Sequence, residues 1–166
     1  MTTIAEVNAK GVGRAGVRPV IQPVQVTHGT FVTQNLARTQ RMLEDVMGME
    51  CVRAAPDRLL ARHRLDATRD GYWVLDIREV AEIRHPQNML NHWGLVVANR
   101  DEVDRAYERI AAATDAYGLK RVNKPKEAHK SYSFYFQDAD SNWWEIEHRG
   151  PESAYAALVS QGDTFE

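Results

Sequence analysis

Two stretches of this chain, 64 residues apart, repeat the same order of residues. With His28 laid on His92, Phe31 meets Leu95, Val32 meets Val96, Asn35 meets Asn99 and Arg41 meets Arg105. At the far end of each copy, Val74-Leu-Asp-Ile-Arg-Glu79 lies on Trp143-Trp-Glu-Ile-Glu-His148, which sets Asp76 against Glu145. A repeat of that length confines a chain of 166 residues to two similar modules that share a core. Each module reads as a strand, a helix and three further strands.

Local signals place those elements. Val24 to Thr33 reads as a strand and Asn35 as a helix N-cap; Leu36, Leu43, Val46 and Met47 form an apolar stripe that Gly48 ends. Short strands follow around Glu50 to Arg53 and Leu59 to Arg64, Asp70-Gly71 is a turn, and Tyr72 to Val80 is a strand. The second module opens with a strand over Leu90 to Asn99. A helix over Arg100 to Tyr117 follows, with a stripe at Val103, Ala106, Tyr107, Ile110 and Ala111 and closure at Gly118. After a strand near Leu119 to Asn123 and a polar loop over 124–130, Tyr132 to Phe136 and Asn142 to Glu147 make a hairpin around Asp138-Ala139-Asp140-Ser141. The chain is therefore α+β: an arm over 1–23, modules over 24–84 and 85–149, and a tail over 150–166 with a short helix from Glu152 to Val159.

Charge and composition remove several functions. A formal net charge of -2 gives no electrostatic pull toward nucleic acid or an anionic membrane. The single Cys51 excludes an intramolecular disulfide and a cysteine-based zinc site. No apolar run is long enough to span a bilayer and Met1 to Asn8 lacks a signal-peptide core, so a reducing, cytoplasmic setting is the default.

The chemistry sits at the matching ends of the two modules. In the last strand Trp143, Glu145 and Glu147 share one face, and a carboxylate flanked by tryptophans is costly to bury unless a cation compensates it. A lone strand histidine is more often structural than a ligand, but His28 and His92 in equivalent places reverse that preference. If the modules roll into one half-open barrel, two imidazoles and Glu145 converge, a set that suits non-haem Fe(II) or zinc. Glu147 remains an alternative ligand, and Asp76 has Arg78 two residues away as an ion partner. Trp73, Trp143 and Trp144 read as core or pocket wall.

Val26-Thr-His28 through Asn35-Leu36, then Asn91-His92-Trp-Gly-Leu, then Phe134-Tyr-Phe-Gln-Asp-Ala-Asp-Ser-Asn-Trp-Trp-Glu145 resemble the vicinal oxygen chelate superfamily over residues 24 to 149. That group includes glyoxalase I, extradiol dioxygenases, methylmalonyl-CoA epimerase, and fosfomycin and bleomycin resistance proteins. The resemblance implies paired βαβββ modules in a half-open mixed barrel around a divalent metal held by His28, His92 and Glu145. The superfamily's usual turn is Asp-Pro-Asp-Gly; here Ala139 and Ser141 replace Pro and Gly.

Three functions follow as expectations. The segment from His129 through Tyr135 to Glu145 is similar to the extradiol dioxygenase signature, which implies Fe(II), O2 and a catechol-like substrate, with His129 and Tyr135 managing protons. In the isomerase and lyase branches Asp76 would be a fourth ligand to Zn, Mn, Ni or Co. A non-catalytic small-molecule binder is the third. A homo-oligomer is expected, with modules pairing either within one chain or between chains.

Overall fold

The computed structural model describes residues 26–63 and 73–161. The arm over 1–23, the Asp70-Gly71 turn and Tyr72 lie outside the described residues. The first module contains β1 (His28–Thr33), α1 (Leu36–Asp45), β2 (Met49–Ala55), β3 (Arg58–His63) and β4 (Val74–Glu79). The second contains β5 (His92–Val96), α2 (Arg100–Ala112), the one-turn α3 (Thr114–Tyr117), β6 (Lys126–Ala128), β7 (Ser131–Gln137) and β8 (Trp143–His148). A 3-10 turn (Pro151–Ser153) and α4 (Tyr155–Gln161) follow.

Each module folds into its own four-stranded mixed sheet, ordered β1-β4-β3-β2 and β5-β8-β7-β6. The first strand of each pairs in parallel with the last, and the registers repeat: Thr30 faces Asp76 as Gly94 faces Glu145. The helices start alike. The Asn35 side chain accepts from the Arg38 amide and the Asn99 side chain from the Glu102 amide, both at 2.9 Å, each satisfying an orphan donor of a first turn. Gly48 and Gly118 follow the helical segments with φ +65°, a conformation that costs a residue with a Cβ.

One face of each sheet lies under its helix. Phe31, Leu59, Ala61, Leu75 and Ile77 are buried with Leu36, Met42 and Leu43 of α1; Phe134, Phe136, Trp144 and Ile146 with Val103 and Ile110 of α2. These groups form one continuous core, in which the Phe31 ring meets Trp144 edge-on at 5.6 Å. The sheets themselves do not merge into one barrel among the described residues. Gly29 is what permits the close approach of the modules, because a Cβ there would stand 2.6 Å from the Trp93 ring and 2.9 Å from Trp73.

Several elements differ from the sequence reading. The stretch Leu119 to Asn123 makes only an isolated bridge, Lys120 to Gln137, and β6 forms in the expected loop. A two-residue turn explains this: His129 and Lys130 both take positive φ, as a tight hairpin between β6 and β7 demands. Ala111 is exposed rather than part of the α2 stripe, and the tail helix starts three residues later than Glu152. No helix among the described residues is long and apolar enough to cross a membrane.

Candidate metal centre

β8 delivers the central carboxylate. Its register sets Trp143 opposite Gln137, Glu145 opposite Tyr135 and Glu147 opposite Ser133, so these six side chains share the face turned away from α2. Glu145 is 4% exposed, yet the imidazole of His92 reaches it from β5, Nε2 to Oε2 3.1 Å. Tyr135 stands edge-on to His92 at 5.1 Å. Gly94, directly opposite Glu145, leaves open space, since an added Cβ would meet only Glu147 Oε1 at 3.9 Å.

The hydrogen bonds of His92 decide what that contact needs. Its Nδ1 lies 2.7 Å from the carbonyl of Met89, an atom that only accepts, so Nδ1 carries the proton. Nε2 is thereby aimed at a carboxylate oxygen, either as a lone pair on a neutral ring or as a donor on a protonated one. Two lone pairs at that separation repel unless a proton or a metal cation lies with them. The donor set fits a divalent metal, with the Met89 carbonyl orienting the ring as outer partners of metal-bound histidines do.

Around this pair the face stays polar and enclosed. Burial, then the hydrogen bond and negative charge of Glu145, push the Tyr135 hydroxyl well above its ordinary range, so it remains a proton donor. Burial and the neighbouring Glu145 raise Glu147, against the pull of Arg149, whose Nε donates to it at 2.7 Å. The buried Ser133 hydroxyl has no hydrogen-bond partner among the described residues. Arg149 was not legible as part of the site, because it lies beyond the hairpin that carries the signature.

The other expected residues lie elsewhere. His28 is exposed, with Nδ1 3.0 Å from the Thr27 hydroxyl. On β1 it faces away from Gly29 and Phe31, which pack toward Trp93; on β5 His92 faces away from Trp93. Within one chain the two imidazoles therefore project in different directions, and no group of three His, Cys, Asp or Glu side chains among the described residues is placed to hold a metal. Asp76, the expected fourth ligand, is engaged at both oxygens, by Arg58 at 2.7 Å and Arg78 at 3.1 Å. His129 occupies the exposed turn at the other end of β7, six residues from Tyr135, so the proposed acid/base partners do not meet. Trp143 lines the Glu145 face, whereas Trp73 packs on Trp93 at the module junction, ring centroids 5.4 Å apart. A cavity of ≈ 610 Å³ between the end of α1, α2 and β5 includes none of these candidates.

Comparison with known proteins agrees with this architecture. The family model described as the Glyoxalase/Bleomycin resistance protein/Dioxygenase superfamily matches residues 25–146. The chain belongs to this superfamily. Among solved structures it resembles FosX, the fosfomycin resistance protein of Listeria monocytogenes, in complex with Mn(II) and sulfate. That match has 19% identity and TM-score 0.61, covering 82% of this chain and 99% of FosX. A protein described as a possible glyoxalase of Bacillus cereus matches at 20% identity and TM-score 0.58, covering 75% and 98% of the two chains. Lactoylglutathione lyase of Agrobacterium tumefaciens matches at 18% and 0.54, covering 76% and 95%. None of the curated proteins compared with the chain matches it in sequence. These three structures share the fold, and none of them is described as an extradiol dioxygenase.

Proposed function

We propose that the chain is a metal-dependent lyase or isomerase, acting on a small molecule that presents oxygen atoms to a divalent cation. The observation that carries this reading is the His92–Glu145 contact, a buried carboxylate with an oriented imidazole Nε2 aimed at it, a pair that a proton or a divalent cation can bridge. His92 and Glu145 would hold the metal, and His28 of a second molecule would complete the set. β1 and β5 are both edge strands, and each carries its histidine on the face away from the intramolecular junction. A two-fold pairing of edges would bring one His28 to each His92–Glu145 pair, a self-complementary arrangement.

When bound, the metal supplies Lewis-acid polarisation of a substrate oxygen. Tyr135, held protonated, donates a hydrogen bond to a substrate oxygen or to Glu145. Beside it Arg149 donates to Glu147 and holds that carboxyl in place. Two imidazoles and one carboxylate suit several first-row ions, and the Mn(II) of the FosX complex favours Mn(II) over Fe(II) here. The FosX and lyase relatives likewise favour proton and bond-rearrangement chemistry over use of O2.

Mixing His28→Ala with His92→Ala protein tests the shared site. Each variant alone should lose tight Mn(II) binding. Unfolded together and refolded, they should recover about one quarter of the wild-type sites by random pairing. A wild-type monomer that binds Mn(II) tightly, or a mixture with no recovered sites, would sink the proposal.

A further inference from the structure

The open face of the first sheet carries charges that metal binding does not use. Strand register sets His28, Val74 and Arg62 in one row, Thr30, Asp76 and Leu60 in the next, and Val32, Arg78 and Arg58 in a third. Cross-strand partners point to the same side of a sheet. The alternate residues Phe31, Leu59, Leu75 and Ile77 are buried under α1, so the three rows occupy the opposite face.

Arg58 and Arg78 stand directly opposite each other, and like charges so placed are destabilising. Asp76 answers both. It accepts from Arg58 Nε at 3.0 Å and Nη2 at 2.7 Å, and from Arg78 Nε at 3.1 Å. One carboxylate between two guanidiniums leaves a net positive charge. The terminal nitrogens of Arg78 have no acceptor among the described residues, and its side chain is 42% exposed. A network that only braced the sheet would need one arginine for one carboxylate. The second guanidinium is surplus, fixed in direction at Nε, with its two-nitrogen edge open.

We infer that Arg58 and Arg78, aligned by Asp76, form a subsite for an oxyanion of the substrate, a carboxylate, phosphonate or phosphate. A planar guanidinium edge matches the paired oxygens of such groups. The inference rests on the proposed role of His28, because that residue lies on the same face. At about 3.3 Å per residue the Asp76 row lies ~7 Å, and the arginine row ~13 Å, along the sheet from His28. The substrate is therefore an elongated acid, bound by oxygens at the metal and carrying its anionic group roughly 7–13 Å away. Asp76 acts as a positioning residue.

Anion binding to the metal-free, full-length protein tests this separately from the metal reading. Inorganic phosphate and acetate are titrated calorimetrically against a chloride background of equal ionic strength. Wild type should show saturable binding of at least one of them. Arg78→Met, which leaves Asp76 paired with Arg58, should weaken it at least tenfold. Arg84→Met, which removes an exposed charge from the loop after β4, should leave it unchanged. No saturable binding by wild type, equal binding by Arg78→Met, or an equal loss in Arg84→Met would overturn the subsite. The Mn(II) mixing experiment stands or falls independently of each result.

Discussion

At the scale of single residues, backbone conformation and burial set the expectations. Ser141 holds φ +69°, where the superfamily's usual turn has glycine. The left-handed region costs a residue with a Cβ roughly 1–2 kcal/mol, partly offset by the greater chain entropy of glycine when unfolded. Ser141→Gly should therefore stabilise the protein by about 0.5–1 kcal/mol in urea denaturation. Cys51 makes an opposite point about chemistry. Burial, with a smaller push from Glu44, raises its thiol to about 12. It should resist iodoacetamide at pH ~8, where an ordinary thiol near ~8.5 is partly ionised, and react once urea unfolds the chain. Asp76 gives a pH dependence. The hydrogen bond from Arg58 is foremost in holding its carboxyl below the usual range, with further help from Arg78, against the opposing effect of burial. A folded-state value below the unfolded one stabilises at higher pH, and that contribution fades as pH falls below ~3.9 toward the folded value. Wild type should lose its advantage over Asp76→Asn across that acidic window, read as converging melting temperatures.

The elements show how one turn can do two jobs. Asp138 closes the β7–β8 hairpin by accepting from the Asp140 and Asn142 amides and from the Asn142 and Trp144 side chains. Asp140, two residues on, faces the other module, where Thr33, the Gln34 amide and Arg38 all donate to it. Asp140→Ala would strip a charged acceptor from three donors across the junction. A loss of about 2–4 kcal/mol is expected, since hydrogen bonds to charged groups contribute ~1.5–3 kcal/mol each and do not add fully. Equilibrium unfolding measures it, and a loss under ~0.5 kcal/mol would remove the turn's clamping role. The helix caps should behave as a matched pair. Asn35→Ala and Asn99→Ala should each cost about 1 kcal/mol, because each removes the same side-chain acceptor from a first turn.

For the whole molecule, the junction between modules governs where the histidines point. Gly29 sits against the Trp93 and Trp73 rings with no room for a methyl group. Gly29→Ala should force the tryptophans apart, cost about 1–3 kcal/mol and red-shift the tryptophan emission as Trp73 and Trp93 gain water. An unchanged spectrum and stability would mean that the modules do not depend on this contact. Repacking here leaves the core of each sheet under its own helix, so the modules should keep their secondary structure by circular dichroism.

The duplicated order of strands and helices, the Asn35 cap, the closing glycines and the shared face of Trp143, Glu145 and Glu147 were all legible from residue spacing. Each depends on chemistry within a few residues, or on a repeat that compares the chain with itself. The pairing of Asp76 with Arg58 was not legible, because those residues lie 18 apart and meet only through the β3–β4 register. Nor was β6, whose existence depends on a left-handed turn at two residues with no glycine. Spacing also could not decide where His28 points. A strand's alternation says which neighbours share a face, but which face is covered depends on how the two modules pack. Here Gly29 and Phe31 turn inward against the tryptophans, and His28 turns out.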